Sequence, residues 1–482
     1  MNTNEGFVNS ISAEDATVLE QLDAFLEKTR QEYIKDLGAL IAIPSVGAEA
    51  EGKYVFGKES AAALEKAIEI GDSYGFKTKN HEYYCASIAY GDKEEEMGIV
   101  AHLDVVPAGD GWSYDPYKLT VENGLLIGRG TEDDKGPAVA GLYALRFFKE
   151  HGIELPFTLR LILGGNEERG MNDLPYYAQN YKVPFFSFTP DSSFPVCVGE
   201  KGSLKLYVTV CEGSELFESF TGGTVVNAVA GRAKAVLRGC YASKLSKCES
   251  IEVTETEGKT VVEAVGKTAH AAMPEAGLNA IGLLSAYLLR ELDGQLCEND
   301  RKALDFLSKA TTEYLGKTLG IQGEDKESGY LTCVGGVIKT ENGKIIQTFD
   351  IRYPITFVGE ELLDKAVATV TAWGFDCERG RNSKPYYFSP EKAEIKALVS
   401  AYETVMSEPC VPYTMGGGTY ARSFPNTVAF GATIEKYRGL LGEGRGAAHD
   451  RDEYLSIAEF ENSVKIFVLS VLNIAKLKQD NK

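Results

Sequence analysis

Only five histidines, at positions 81, 102, 151, 270 and 449, serve the whole 482-residue chain, and two of them keep company that could do chemistry. His102 opens His102-Leu103-Asp104. In extended backbone, residues two apart point the same way, so Asp104 can reach the imidazole from behind, fix its tautomer and strengthen it as a metal donor. Asp133 lies in Gly128-Arg-Gly-Thr-Glu-Asp-Asp-Lys-Gly-Pro137, where glycines permit a tight path and where Asp134 and Lys135 shape the loop around a liganding Asp133. Glu167 and Glu168 are adjacent, so one can bind metal while the other faces a water. Asp191 follows Phe188-Thr189-Pro190, and His449 follows Ala447-Ala448. Taken singly, each stretch is equally well a solvated polar turn. Together, two histidines and three carboxylates make a mixed nitrogen and oxygen donor set suited to zinc, with cobalt or manganese as substitutes, and no cysteine in these stretches asks for a softer ion. A bridging carboxylate can hold two such ions about 3.5 to 4 Å apart, and their combined charge lowers the pKa of a shared water towards neutrality.

These groups need elements to carry them. Helical periodicity runs from Val18 to Leu40 and from Ser60 to Tyr74, and strands are predicted at Cys85–Tyr90 and Gly98–Ala101, the second ending just before His102. A helix at Ala138–Lys149 leads to a strand at Phe157–Leu163, before the Glu167-Glu168 pair, and a further strand at Phe185–Phe188 precedes Asp191. Polar residues thus follow the carboxyl ends of apolar strands three times, where open α/β sheets gather their active-site loops. From about Gly202 the pattern changes. Strand-like runs at 204–210, 230–237, 259–265, 334–339 and 344–352, with helices at 276–292, 299–318 and 361–373, describe a separate α+β domain. A helix at Ala393–Met406, a strand at Asn426–Phe430 and a terminal helix at Leu455–Lys478 resume the α/β pattern. The expected organisation is a catalytic domain built from residues 1–198 and 388–482, interrupted by an inserted domain at 199–387.

Composition narrows the partners. A net charge of −20 disfavours nucleic acid and anionic membrane surfaces. No apolar run approaches the length of a membrane span, and the first twenty residues lack the basic start and apolar core of a secretory leader. Nine cysteines, with no Cys-x-x-Cys among them, suit reduced thiols in a cytoplasmic protein.

The stretches His102-Leu-Asp-Val-Val-Pro-Ala-Gly-Asp-Gly-Trp112, Gly128 to Pro137, Gly165-Asn-Glu-Glu-Arg-Gly170, Thr189-Pro-Asp-Ser-Ser-Phe-Pro195, Gly199-Glu-Lys-Gly202, Gly266-Lys-Thr-Ala-His-Ala271, Asp350-Ile-Arg-Tyr-Pro354, Gly416-Gly-Gly-Thr-Tyr-Ala-Arg422 and Ala447-Ala-His449 together resemble a known set. It is that of the PepV-like dipeptidases, Xaa-His or carnosinase-type, in the dizinc superfamily of aminoacylase, glutamate carboxypeptidase and succinyl-diaminopimelate desuccinylase. The resemblance implies a mixed-sheet zinc-peptidase domain interrupted by an α+β lid. It implies two zinc ions, with His102 and Asp191 on one, Glu168 and His449 on the other, and Asp133 bridging. Glu167 becomes the general base and Asp104 orients His102. His270 would stabilise the oxyanion, and Arg352 would pair with the substrate's terminal carboxylate. Asn227 and the backbone of Gly417, Gly418 and Thr419 would lie beside the substrate. A dipeptide is the implied substrate and a monomer the implied state, because the enlarged lid substitutes for a partner contact. A related deacylase or carboxypeptidase acting on N-acyl amino acids is the enzymatic alternative; a metal-binding regulatory protein of the same fold is the other. Two departures stand out: Asn166 replaces an aspartate common in the dipeptidase relatives, and 443–449 is an unusual approach to the last histidine.

Overall fold

Strands buried on both faces need no alternation, and the first part of the chain supplies such strands. Glu96–His102 is buried at every residue but its first, and Phe186–Thr189 and Thr427–Phe430 are buried throughout. The computed structural model describes residues 11–442 and 444–480; residues 1–10, on which half of the leader expectation rests, and Glu443 of the 443–449 approach lie outside the described residues. Two compact units emerge, one of 1–198, 388–413 and 418–482, the other of 199–387 and 414–417.

In the first unit the strand path runs Lys77–His81, Cys85–Tyr90, Thr158–Gly164, Glu96–His102, Phe186–Thr189, Thr427–Phe430, Val196–Glu200. The central pairings, from Thr158–Gly164 through Glu96–His102 and Phe186–Thr189 to Thr427–Phe430, are parallel, and the outer ones are antiparallel. Three carboxyl ends of the parallel strands therefore deliver His102, the Glu167-Glu168 turn and Asp191 to one edge of the sheet. Helices Ala13–Ile41, Lys135–Glu150 and Ile457–Asp480 cover it, with Tyr33 stacked on Phe460 at 4.3 Å and edge-on to Tyr143 at 5.7 Å.

Two helices begin before their apolar period does. Ser12 caps the first, its Oγ accepting from Asp15 N at 3.1 Å, so exposed polar turns precede the buried stripe. Lys135–Glu150 begins directly after Asp134 because Lys135 is buried there, its Nζ donating to the carbonyls of Leu40 and Ile43 at 2.9 and 2.8 Å. Asp133 thus stands at a helix N-terminus.

The second unit is a wholly antiparallel sheet in the order Ile251–Thr256, Lys259–Val265, Arg232–Arg238, Phe217–Gly222, Thr332–Glu341, Lys344–Tyr353, Gly202–Glu212, Asp376–Ser383. Alternation returns here: Leu204, Leu206, Val208 and Val210 are buried while the residues between them are half-buried. The α/β sheet and this α+β sheet agree with the fold class expected from sequence. Three strands escaped that expectation, and two of them, Ile251–Thr256 and Asp376–Ser383, are the sheet's edges, where charged residues dilute the apolar signal. The helix expected over 299–318 spans Glu298–Ala310. Beyond it Glu313 turns the chain instead, accepting from Leu315 N and Thr318 N at 3.0 and 2.9 Å, a local side-chain alternative to helical bonding. Among the described residues no helix is long and apolar enough to cross a membrane.

Candidate metal centre

The separated motifs meet in two groups that share one residue. His102, Asp133 and Asp191 form the first and Asp133, Glu168 and His449 the second, each with its donor atoms within 4.8 Å of one another. Asp133 divides its oxygens between them: Oδ1 lies 2.9 Å from His102 Nε2, and Oδ2 lies 2.9 Å from His449 Nε2. Asp191 Oδ2 is 3.9 Å from His102 Nε2, and Glu168 Oε1 is 3.0 Å from His449 Nε2. Donors on a tetrahedral zinc at its usual bond lengths lie about 3.4 Å apart, so both groups have the right span.

Whether these atoms want a cation can be tested on His102. Its buried Nε2 and the facing Asp133 Oδ1 form no hydrogen bond despite their separation. A buried ring nitrogen and a buried carboxylate oxygen left in that relation are orphaned polar atoms, which a cation between them would satisfy. The donor types agree, since two imidazoles and carboxylates are zinc ligands. Electrostatics says the same. Burial first, and then mutual repulsion with Asp191 and Asp133 respectively, pushes the Glu167 and Glu168 carboxyls above the usual range, and Asp191 is driven up by burial and Asp133. Burial would lower His449, yet its pairing with Asp133 and Glu168 raises it to about 11. His102 is likewise raised against its burial by Asp104 and Asp133. Crowded carboxylates demand positive charge, and two divalent ions meet that demand. The two groups fit a dizinc centre.

Supporting bonds explain the geometry, and sequence reasoning saw few of them. The nearest neighbour of His102 Nδ1 is the Asp104 carbonyl at 2.9 Å, with the Asp104 carboxylate at 3.5 Å. That carboxylate also accepts from Glu167 N and Glu168 N at 3.0 and 3.1 Å, so Asp104 holds a histidine and the glutamate pair at once. Asp173 holds the same turn from its other side: Oδ2 accepts from Gly165 N and Asn166 N at 2.8 and 2.9 Å and from the Tyr420 hydroxyl. Burial pushes Asp173 up to about 6. Asn166, the departure from the family pattern, uses its side-chain oxygen to accept from Asn172 N at 3.2 Å, a task an aspartate would do as well. Asp134 Oδ2 accepts from His102 N at 3.1 Å. Buried Arg129 and Glu453 join the 128–134 loop to the segment after His449. Asp173 and Glu453 have ordinary sequence surroundings, whereas Arg129 and Tyr420 lie inside the Gly128–Pro137 and Gly416–Arg422 motifs, which are the signals that mark them.

The remaining expected site residues divide between the units. In the second, Asn227 and His270 share a rim, since Ala271 N donates to Asn227 O at 2.9 Å and Ala228 bridges His270. Both are exposed, and His270 Nδ1 accepts from Ala272 N at 3.2 Å. Arg352 is held by Asp350 through Nε at 2.7 Å and reaches Gly416 O through Nη1 at 3.2 Å, with Gly417 the next residue along. Gly418 and Thr419 belong to the unit of the metal centre. There Thr419 Oγ1 accepts from Ala421 N at 3.1 Å, capping the short helix that carries Tyr420.

Known proteins are similar to this chain. The family model for peptidase family M20/M25/M40 matches residues 98–473. A Beta-Ala-Xaa dipeptidase of Lactobacillus delbrueckii subsp. lactis is 29% identical over 477 residues, covering 93% of this chain and 97% of the relative. YtjP of Bacillus subtilis (strain 168), provisionally named a dipeptidase, is 30% identical over 473 residues, covering 93% and 98%. Among solved structures, human carnosine dipeptidase 1 aligns with a TM-score of 0.57 at 15% identity over 95% of this chain and 100% of its own. Dug1p, a dipeptidase of Saccharomyces cerevisiae, aligns with a TM-score of 0.58 at 17% identity over 95% and 98%. At those identities the two structures speak for the fold alone.

Proposed function

The chain belongs to peptidase family M20/M25/M40, and from that premise we propose that it is a zinc-dependent dipeptidase that hydrolyses the peptide bond of unblocked dipeptides. One observation carries the reading: the Asp133 carboxylate turns one oxygen to each of two histidine-containing donor groups. In the proposed assignment His102 and Asp191 hold one ion, Glu168 and His449 the other, and Asp133 bridges them; manganese or cobalt can substitute. Zinc ions held there supply Lewis acidity and bring a water within reach of deprotonation at neutral pH.

The chain's own groups do the rest. Glu167 takes the water's proton and hands it to the departing amine. Asp104 orients His102 and, through two backbone amides, fixes where Glu167 stands. His270 donates to the oxygen of the scissile carbonyl as charge gathers on it, with Asn227 beside it. Arg352, its fork already aligned by Asp350, takes the terminal carboxylate, and the backbone of Gly417 and Gly418 with Thr419 lines that end of the substrate. Residues 1–198 and 388–482 would form the catalytic domain and 199–387 the lid, a division supported by the compact units. We assign a monomer in the cytoplasm, in keeping with nine free cysteines.

The test pairs a Glu167→Ala variant with a substrate panel. The variant should retain both metals and lose turnover; full turnover in the metal-loaded variant would remove Glu167 as the base. Wild-type enzyme should cleave free dipeptides faster than their N-acyl counterparts, and the reverse order would make the protein a deacylase.

A further inference from the structure

The metal donors leave two buried charges beside them without a task. Arg129 and Glu453, each 1% exposed, pair through Nη1 and Oε2 at 2.5 Å. Such a pair carries a desolvation cost that packed apolar side chains would avoid, so what it binds matters more than the pairing itself. Glu453 Oε1 accepts from Gly130 N, Glu132 N and Asp133 N at 3.0, 2.9 and 3.1 Å. One oxygen thereby gathers the backbone of the loop that presents Asp133. The Glu453 carbonyl accepts from Gly128 N at 2.9 Å, extending the same grip. Arg129 Nη2 donates to the carbonyl of His449 at 3.2 Å and to that of Ala108 at 3.3 Å, while the guanidinium lies over Trp112, 5.2 Å from its ring centre.

His449 needs such help. Its backbone is left-handed, with φ of 66°, a conformation that its Cβ disfavours. Its side chain is 53% exposed, so packing does not fix the ring. His102 and Asp191 differ, because the strands Glu96–His102 and Phe186–Thr189 bring them in and the sheet sets their spacing without Arg129 or Glu453.

We propose that Arg129 and Glu453 are a positioning pair that sets the reach between Asp133 and His449, and so governs metal affinity more in the Asp133, Glu168, His449 group than in the His102, Asp133, Asp191 group, which it reaches through Asp133 alone. Neither residue touches metal or substrate. The inference rests on the metal assignment above.

The experiment compares the full-length wild type with Arg129→Lys, Glu453→Gln and Glu453→Ala. Zinc occupancy is titrated against a competing chelator, and the visible spectrum of the cobalt-loaded protein is recorded. Arg129→Lys keeps the charge and loses the fork; one of two zinc sites should weaken about 10- to 100-fold, with the cobalt bands of that site altered more than those of the other and kcat falling more than KM changes. Glu453→Gln keeps an oxygen for the three amides and should lose less than Glu453→Ala. Unchanged affinity at both sites in every variant would overturn the proposal. So would an equal loss at both sites with a matching fall in melting temperature, since that describes a general structural role. A wild type that binds fewer than two zinc ions would instead fail the metal assignment itself, and the inference with it.

Discussion

His102 and His449 face the same carboxylate from opposite sides, yet the protein holds them by different means. His102 is fully buried at the end of a central strand, its ring bonded behind by the Asp104 carbonyl and flanked by Tyr420 at 6.1 Å. His449 sits on a loop in a left-handed conformation, half exposed, with carboxylates on one side of its ring and Arg129 on its backbone. The sheet prepares one half of the centre and a network of buried charge prepares the other. Equal ligands therefore need not bind with equal strength.

Removing what the two halves share should have the largest effect. Asp133→Ala should lower kcat/KM by at least about a thousandfold and reduce the metal content of both groups; a variant that kept two ions at wild-type affinity would show that Asp133 bridges nothing. Separate loss of the histidines then probes the asymmetry. In chelated protein, His102→Ala should cost more than His449→Ala, because it also opens a cavity at a fully buried position, while the His449 ring is half exposed. Equal costs in urea unfolding would dissolve the contrast.

A third histidine sharpens the part that burial plays. His81 is as deeply buried as His102 but bonds Ser87 Oγ at 2.9 Å instead of a carboxylate, and burial lowers it to about 4. Its folded value is below the unfolded one, near 6.5, so the unfolded chain binds the proton first as pH falls. Stability is complete above about pH 6.5 and declines between there and pH 4, by at most about 3 kcal/mol. His81→Gln should flatten that part of a plot of unfolding free energy against pH, and an unaltered slope would discharge His81 from it. The smallest effect belongs to Tyr420→Phe. It removes one of the bonds that Asp173 uses to hold the Glu167 turn, and should lower kcat about tenfold with zinc content unchanged; zinc loss in step with activity would place Tyr420 among the metal supports instead.

The same asymmetry governs what the sequence made legible. His102, Glu167, Glu168 and Asp191 were readable because each follows an apolar run, and strand period predicts where such runs end. Residue type nominated His449, but its arrival beside Asp133 depends on bonds that span more than three hundred positions, such as Arg129 to Glu453. Neither partner has a local pattern that forecasts the other. Asp173 looks like any aspartate at the start of a helix until its side chain is seen beneath Gly165 and Asn166. In the second unit most interior strands announced themselves by alternation, whereas the edge strands and Phe217–Gly222 did not.

The strand Thr427–Phe430 has a consequence for the order in which the molecule is made. It pairs with Phe186–Thr189 on one side and Val196–Glu200 on the other, filling a place in the sheet between neighbours synthesised more than two hundred residues earlier. Until it emerges from the ribosome those earlier strands have an open edge, whereas the intervening 199–387 segment already contains every strand of its own sheet. Synthesis thus favours completion of the second unit before the first. His449 follows later still, so a nascent chain cannot assemble both metal groups, nor cleave peptide, until synthesis has passed that position.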